Sequence, residues 1–84
     1  MPANEPSERF VFVFMQRINV DSKDLKSVGY DETTSILEIE FNSGGVYQYL
    51  AVPVETYNNL MNAVSHGKYF HAFIMNHYKS IKIQ

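Results

Sequence analysis

Residues Ile36 to Phe41 alternate, with Leu37, Ile39 and Phe41 on one side and Glu38 and Glu40 on the other. A period of two marks a β-strand with one buried face. Asn42-Ser43-Gly44-Gly45 follows as a tight reversal, and Val46 to Ala51 returns as the partner strand. This central hairpin anchors the reading of the remaining chain.

Either side of it the pattern changes twice. Residues 1–8 hold two Pro and no apolar periodicity, and read as a flexible leader. Phe10-Val11-Phe12-Val13-Phe14 alternates Phe and Val, a strand with two apolar faces that both need cover. Asn19 to Lys26 carries Asp21, Ser22 and Asp24 and reads as a turn or short loop. Lys26 to Tyr30 reads as extended, and Asp31 to Thr34 as a polar turn. Pro53 then opens a helical stripe of Val54, Tyr57, Leu60, Met61 and Val64. Ser65-His66-Gly67 interrupts it, with Gly67 suited to a left-handed helix end or a turn. A second helix is predicted from about Lys68 to about Tyr78, with Phe70, Phe73, Ile74 and His77 or Tyr78 inward. Ile81 and Ile83 alternate with polar residues in a tail able to add a short strand. Strands precede helices, so the predicted fold is α+β: a small antiparallel sheet of three to four strands followed by two C-terminal helices packed on one face.

At 84 residues the chain has room for one core, and residues 9–84 are assigned to a single domain. Cysteine is absent, which excludes disulfides, a thiolate nucleophile and Cys-based zinc sites. No apolar run is long enough to span a bilayer, and the polar N-terminus lacks the pattern of a secretory signal. A cytoplasmic protein without a membrane partner is expected. Six Phe and six Tyr are what a small domain needs to fill a core, so burial is the first explanation to consider for any ring.

The run from Val20 through Ile83 resembles the KTSC domain, a small domain found at the C-terminus of some lysyl-tRNA synthetases and as a free-standing bacterial protein. The matching positions begin with Val20 and Ser22, Leu25 and Ser27, then Val28-Gly29-Tyr30-Asp31. They continue through Leu37-x-Ile39-x-Phe41, Gly44-Gly45, the central Tyr47-Gln48-Tyr49 and Val52-Pro53. Ala63-x-Ser65, Gly67-x-Tyr69-Phe70 and Tyr78 complete the set, while the Phe-Val strand before Arg17 falls outside it. The resemblance implies no enzymatic activity. Its synthetase context implies a nucleic-acid contact, RNA above all.

Read by themselves, Tyr47 and Tyr49 lie two apart on a strand and leave the same face, a spacing that suits stacking of neighbouring bases. The hairpin register decides whether they are available. A two- or four-residue loop sets Phe41 opposite Val46, Glu40 opposite Tyr47 and Glu38 opposite Tyr49, placing the rings on the polar face. A three-residue loop is taken to set Phe41 opposite Tyr47 and Ile39 opposite Tyr49, placing them in the core. Gly44-Gly45 permits either.

Charge is unevenly spread. Residues 1–64 hold four Lys or Arg against nine Asp or Glu, a net of −5. Residues 65–84 hold three Lys, no acid and all three His, a net of +3, so the chain's −2 conceals a basic end. Lys68, Lys79 and Lys82 are the candidate phosphate contacts beside Tyr47 and Tyr49. The histidine spacings of five and six do not share a helix face, so no metal site and no cofactor are predicted. No phosphate loop, nucleophile elbow or metalloprotease motif is present, and Glu38 and Glu40 read as the solvated side of a strand. No catalytic residue is assigned. The functional expectation is a small binding module for RNA or single-stranded nucleic acid. The alternative is a protein-interaction or homodimer module that uses Phe10, Phe12 and Phe14.

Overall fold

The computed structural model describes residues 15–84. Among these, five strands form one antiparallel sheet in chain order: β1 (Arg17–Asn19), β2 (Leu25–Asp31), β3 (Ile36–Phe41), β4 (Val46–Tyr49) and β5 (Ser80–Lys82). Two helices, α1 (Val54–Asn62) and α2 (His66–Phe73), lie between β4 and β5 in the chain. The α+β architecture is as the alternation implied, with one or two strands more than expected. The added members are three-residue edges, β1 and β5. The predicted leader and the strand of Phe10, Phe12 and Phe14 lie outside the described residues.

The β3–β4 loop is three residues long, and its register differs in detail from the pairing predicted for such a loop. Leu37 faces Tyr49, Ile39 faces Tyr47 and Glu40 faces Val46. Phe41 donates its N–H to Gly45 O at 3.1 Å and accepts from Gly44 N–H at 2.9 Å. The pairing is displaced by two residues from the expected one, which preserves the faces, because strand side chains repeat every two. Gly44 at φ 99° and Gly45 at φ 89° make the turn possible, since L side chains rarely adopt such angles. Tyr47 and Tyr49 therefore point to the helix side.

A bulge makes a second adjustment. Between Leu25 and Ser27 the β2–β3 register shifts, leaving Lys26 as an extra, exposed residue. Leu25 and Val28, three apart, thereby both turn inward and are fully buried. They join Leu37, Ile39, Tyr49, Val52, Leu60, Phe70 and Ile74 in one core. Phe70 occupies its centre, edge-on to Phe41 at 5.4 Å and to Tyr49 at 5.5 Å between ring centroids. Tyr30 stacks on Tyr57 at 4.8 Å and donates its hydroxyl to Val52 O at 2.5 Å, tying β2 to α1 and to the chain leading into it.

Both helices are shorter than the apolar spacing suggested. Pro53 precedes α1 with φ −64° and ψ 150°, and its carbonyl accepts from Thr56 N–H at 3.0 Å. Ala63 turns extended (φ −69°, ψ 145°), which ends α1 and leaves Val64 fully exposed instead of in the stripe. Ser65 then caps α2, its hydroxyl accepting from Lys68 N–H at 3.2 Å. His66 and Gly67 accordingly belong to the helix and not to a turn. Gly67 packs closely against the β1–β2 loop instead: a Cβ there would stand 3.2 Å from Asp24 Oδ2 and 3.5 Å from Ser22 Oγ, so the Asp24 side chain would have to give by a few tenths of an ångström. The inward positions of this segment are Gly67, Phe70 and Ile74. Phe73 therefore sits outward at 57 % exposure, contrary to its predicted burial, and contacts Tyr69 at 4.7 Å. His77 is likewise exposed, while Tyr78 packs partly against the core.

The far side of the sheet is not the solvated acidic face that its alternation suggested. Glu38 is 3 % exposed, paired with Arg17 of β1 and accepting from Gln48 Nε2 at 2.9 Å. Glu40 accepts from Ser27 Oγ at 3.0 Å and lies 3.6 Å from Arg17 and 3.8 Å from Lys26. Removing one partner of a buried ion pair leaves the other charge desolvated and uncompensated. Arg17→Met is therefore expected to lower unfolding free energy by about 3 kcal/mol, and Arg17→Met with Glu38→Gln to recover most of it. Urea unfolding of the three proteins checks this; a single variant as stable as the parent would show that Glu38 does not depend on Arg17.

Candidate nucleic-acid interface

The hairpin register delivers the two tyrosines to the surface unequally. Tyr49 is 5 % exposed and part of the core. Tyr47, one pleat nearer the turn, is half-buried and meets Phe41 edge-on at 5.7 Å. Of the predicted pair, Tyr47 alone offers ring surface to a partner, and Tyr49 is its support. Burial, followed by the charge of neighbouring Tyr47, pushes the Tyr49 hydroxyl from 10.0 up to about 12.

Beside Tyr47 a cleft of about 430 Å³ opens. Its apolar lining comes from Phe41, Tyr47, Tyr49, Tyr78 and Met75. Ser43, Asn76 and Ser80 add neutral polar groups, and among the described residues no charged side chain contributes to the wall. Three separated segments therefore build it: the β3–β4 hairpin, the turn after α2, and β5. Asn76 adopts φ 69° in that turn, an angle Asn tolerates better than most residues. Tyr78 is fixed across the domain by a 3.4 Å contact of its hydroxyl with Thr56 Oγ1.

The lysines separate. Lys82 pairs directly with Tyr47 across β4 and β5, and so shares its face. Gly45 leaves room there: a Cβ would be 3.5 Å from Tyr47 Cε1 and 3.8 Å from Lys82 Cε. Lys79 immediately precedes β5, its carbonyl accepting from Leu50 N–H at 2.9 Å; it is exposed, but strand alternation sets it on the face opposite Lys82 and Tyr47. Lys68 is not brought to this place. It lines another cleft, of about 510 Å³, with Asp21, Asp24 and His71, which shares no lining residue with the cleft of Tyr47. His71 Nε2 lies 3.1 Å from Asp24 Oδ2 there, and His66 Nδ1 lies 2.9 Å from Leu60 O. Among the described residues no three of His, Asp and Glu gather as a metal site.

The sequence did not mark Met75 and Asn76, because the helix was predicted to continue through them, or Ser80, which lay in the tail read as able to add a short strand. Tyr78 did carry a signal as one of the positions matching the KTSC pattern. Ser22, Ser65 and Gly67 matched it as well, and their roles are local. Ser22 Oγ accepts from Asp24 and Leu25 N–H at 3.2 Å each, shaping the loop against which Gly67 packs.

The description of the KTSC domain family matches residues 21–78, a span that contains the whole hairpin, both helices and Tyr78. The chain belongs to the KTSC domain family. It is 43 % identical over 70 residues to an uncharacterized protein of Stutzerimonas stutzeri, covering 82 % of this chain and 99 % of that one. It is 44 % identical over 55 residues to a lysine–tRNA ligase of Nostoc sp., covering 66 % of this chain but 10 % of the ligase. The crystal structure of a KTSC domain protein from Yersinia pestis superposes with a TM-score of 0.82 at 43 % identity, covering 83 % of this chain and 99 % of that one. The ligase activity belongs to proteins of which this chain spans a tenth. Among the described residues no helix is long and apolar enough to cross a membrane.

The buried Tyr49 hydroxyl ties stability to alkaline pH. An unfolded tyrosine loses its proton near 10.0, whereas Tyr49 in the fold retains it to about 12. Stability is thus fully present below pH 10 and declines as pH rises through the 10–12 window, by on the order of 2 kcal/mol. Urea unfolding of the parent and Tyr49→Phe at pH 9 to 12 checks this; identical slopes for the two would remove Tyr49 as the cause.

Proposed function

We propose that this KTSC domain is a non-enzymatic binding module that contacts single-stranded RNA through Tyr47 and Lys82 of the β5 edge. The observation that carries the reading is the cross-strand pairing of Tyr47 with Lys82, which sets a partly exposed aromatic ring and a cation on one face. Ring faces stack on bases without regard to sequence, and ammonium groups contact the backbone, so the pair has the two parts a single-strand site needs. The occurrence of the same domain within lysine–tRNA ligases, whose substrate is an RNA, supports the choice of RNA.

The scale of the binding follows from the charge. One lysine stands beside Tyr47, and the whole chain is −2, so few phosphates are neutralised and a tight duplex-binding role is disfavoured. The lysine at position 68 belongs to a separate surface with two aspartates and is not needed for this contact. The protein-interaction alternative through Phe10, Phe12 and Phe14 concerns residues outside those described.

The test is fluorescence anisotropy with labelled single-stranded RNA octamers at low salt. Tyr47→Leu keeps apolar bulk while removing the stacking ring, and is expected to weaken binding about tenfold. Lys82→Ala is expected to weaken it less and to reduce the magnitude of the salt slope by roughly 0.7. Unchanged affinity in both variants, at unchanged thermal stability, would overturn the reading.

A further inference from the structure

We infer that the cleft beside Tyr47 receives one nucleobase by insertion, with the phosphate of that nucleotide left outside on Lys82. This rests on the RNA reading above and adds a mode of binding to it: a pocketed base in place of bases laid across an open sheet.

The chemistry of the walls selects the occupant. Phe41, Tyr47 and Tyr78 present aromatic surface, backed by the buried Tyr49, and Met75 a polarizable thioether, within about 430 Å³. A flat, neutral ring finds stacking and dispersion partners there. Asn76, Ser43 and Ser80 supply donors and acceptors for its edge. An anion placed inside would meet no charged wall, and desolvating it without a partner is unfavourable.

Aromatic clefts also accommodate cations, so the surrounding charge has to decide. Residues 65–84 supply three Lys and no acid, and one of those lysines, Lys82, stands beside Tyr47. The carboxylates of Glu38 and Glu40 point to the opposite face and are engaged by Arg17, Gln48 and Ser27, and Asp24, beyond Phe41 and Ser43, is engaged by His71. A cation would thus face Lys82, with the nearby carboxylate already occupied. A neutral ring attached to an external anion satisfies both the interior and the rim, and a nucleotide is that combination.

Two measurements test the insertion. The first is anisotropy with single-stranded rU8 and rA8 carrying one abasic ribose at each position in turn. Insertion predicts that one interior position loses about tenfold in affinity while the others change less than about twofold. The second uses Ser80→Phe, which fills the cleft from an exposed residue on edge strand β5, opposite Tyr49. It is expected to weaken binding of the intact octamer about tenfold with an unchanged thermal melt, and to make the sensitive abasic position indifferent. Equal small losses at every position, or full affinity in Ser80→Phe, would overturn insertion and leave the RNA contact standing if Tyr47→Leu still binds weakly. Failure of the parent protein to bind either octamer at low salt would overturn both.

Discussion

Everything on the helix side of the sheet depends on the odd length of the β3–β4 loop. With three residues between Phe41 and Gly45, the odd-numbered residues of both strands share one face, so Leu37, Ile39 and Phe41 lie with Tyr47 and Tyr49. One residue more or fewer would move Tyr47 and Tyr49 beside Glu38 and Glu40. The core would then lose Tyr49, and Phe70 would lose one of the two rings it packs against. Gly44 and Gly45, both at positive φ, are the residues that let the chain reverse in that length.

The same constraint explains how one domain carries both a tyrosine held in the core and another at the surface. Tyr47 and Tyr49 face the same way, but α2 and the turn after it cover the sheet more fully at Tyr49 than at Tyr47. The cleft forms where this cover ends. Its far wall is the turn containing Met75 and Asn76, and its outer wall is β5. The added edge strand thus has a functional consequence: it brings Lys82 opposite Tyr47 and gives the basic C-terminal end a defined place on the fold.

On the other face the physical logic is reversed. Glu38 and Gln48 are buried there and joined by a hydrogen bond from Gln48 Nε2, with Arg17 neutralising the carboxylate and Gln48 Oε1 left without a partner among the described residues. The network joins β1, β3 and β4, so it favours one register among strands whose backbone pairing alone is less selective. It also occupies the acidic side chains that would otherwise oppose an anionic partner on the domain. Lys82 thereby stands on the face opposite Glu38 and Glu40, while Lys68 and His71 meet Asp21 and Asp24 in a separate cleft.

Alternation in Ile36–Phe41, the Gly-Gly turn and the Val-Pro entry into α1 were sufficient, from the sequence alone, to determine an α+β domain with a central hairpin and two following helices. They are local signals, set by backbone geometry within a few residues, and they read directly. The KTSC pattern was legible for the same reason, since its short pieces keep their spacing along the chain. Only the tertiary structure decided which tyrosine reached the surface, that Glu38 was buried, and that Phe73 and Val64 faced outward. Those outcomes depend on loop parity, on a single-residue bulge at Lys26, and on where Ala63 and Ile74 stop the helices. Each is a small local choice whose effect is read out on another strand or helix, where periodicity along the chain carries no information.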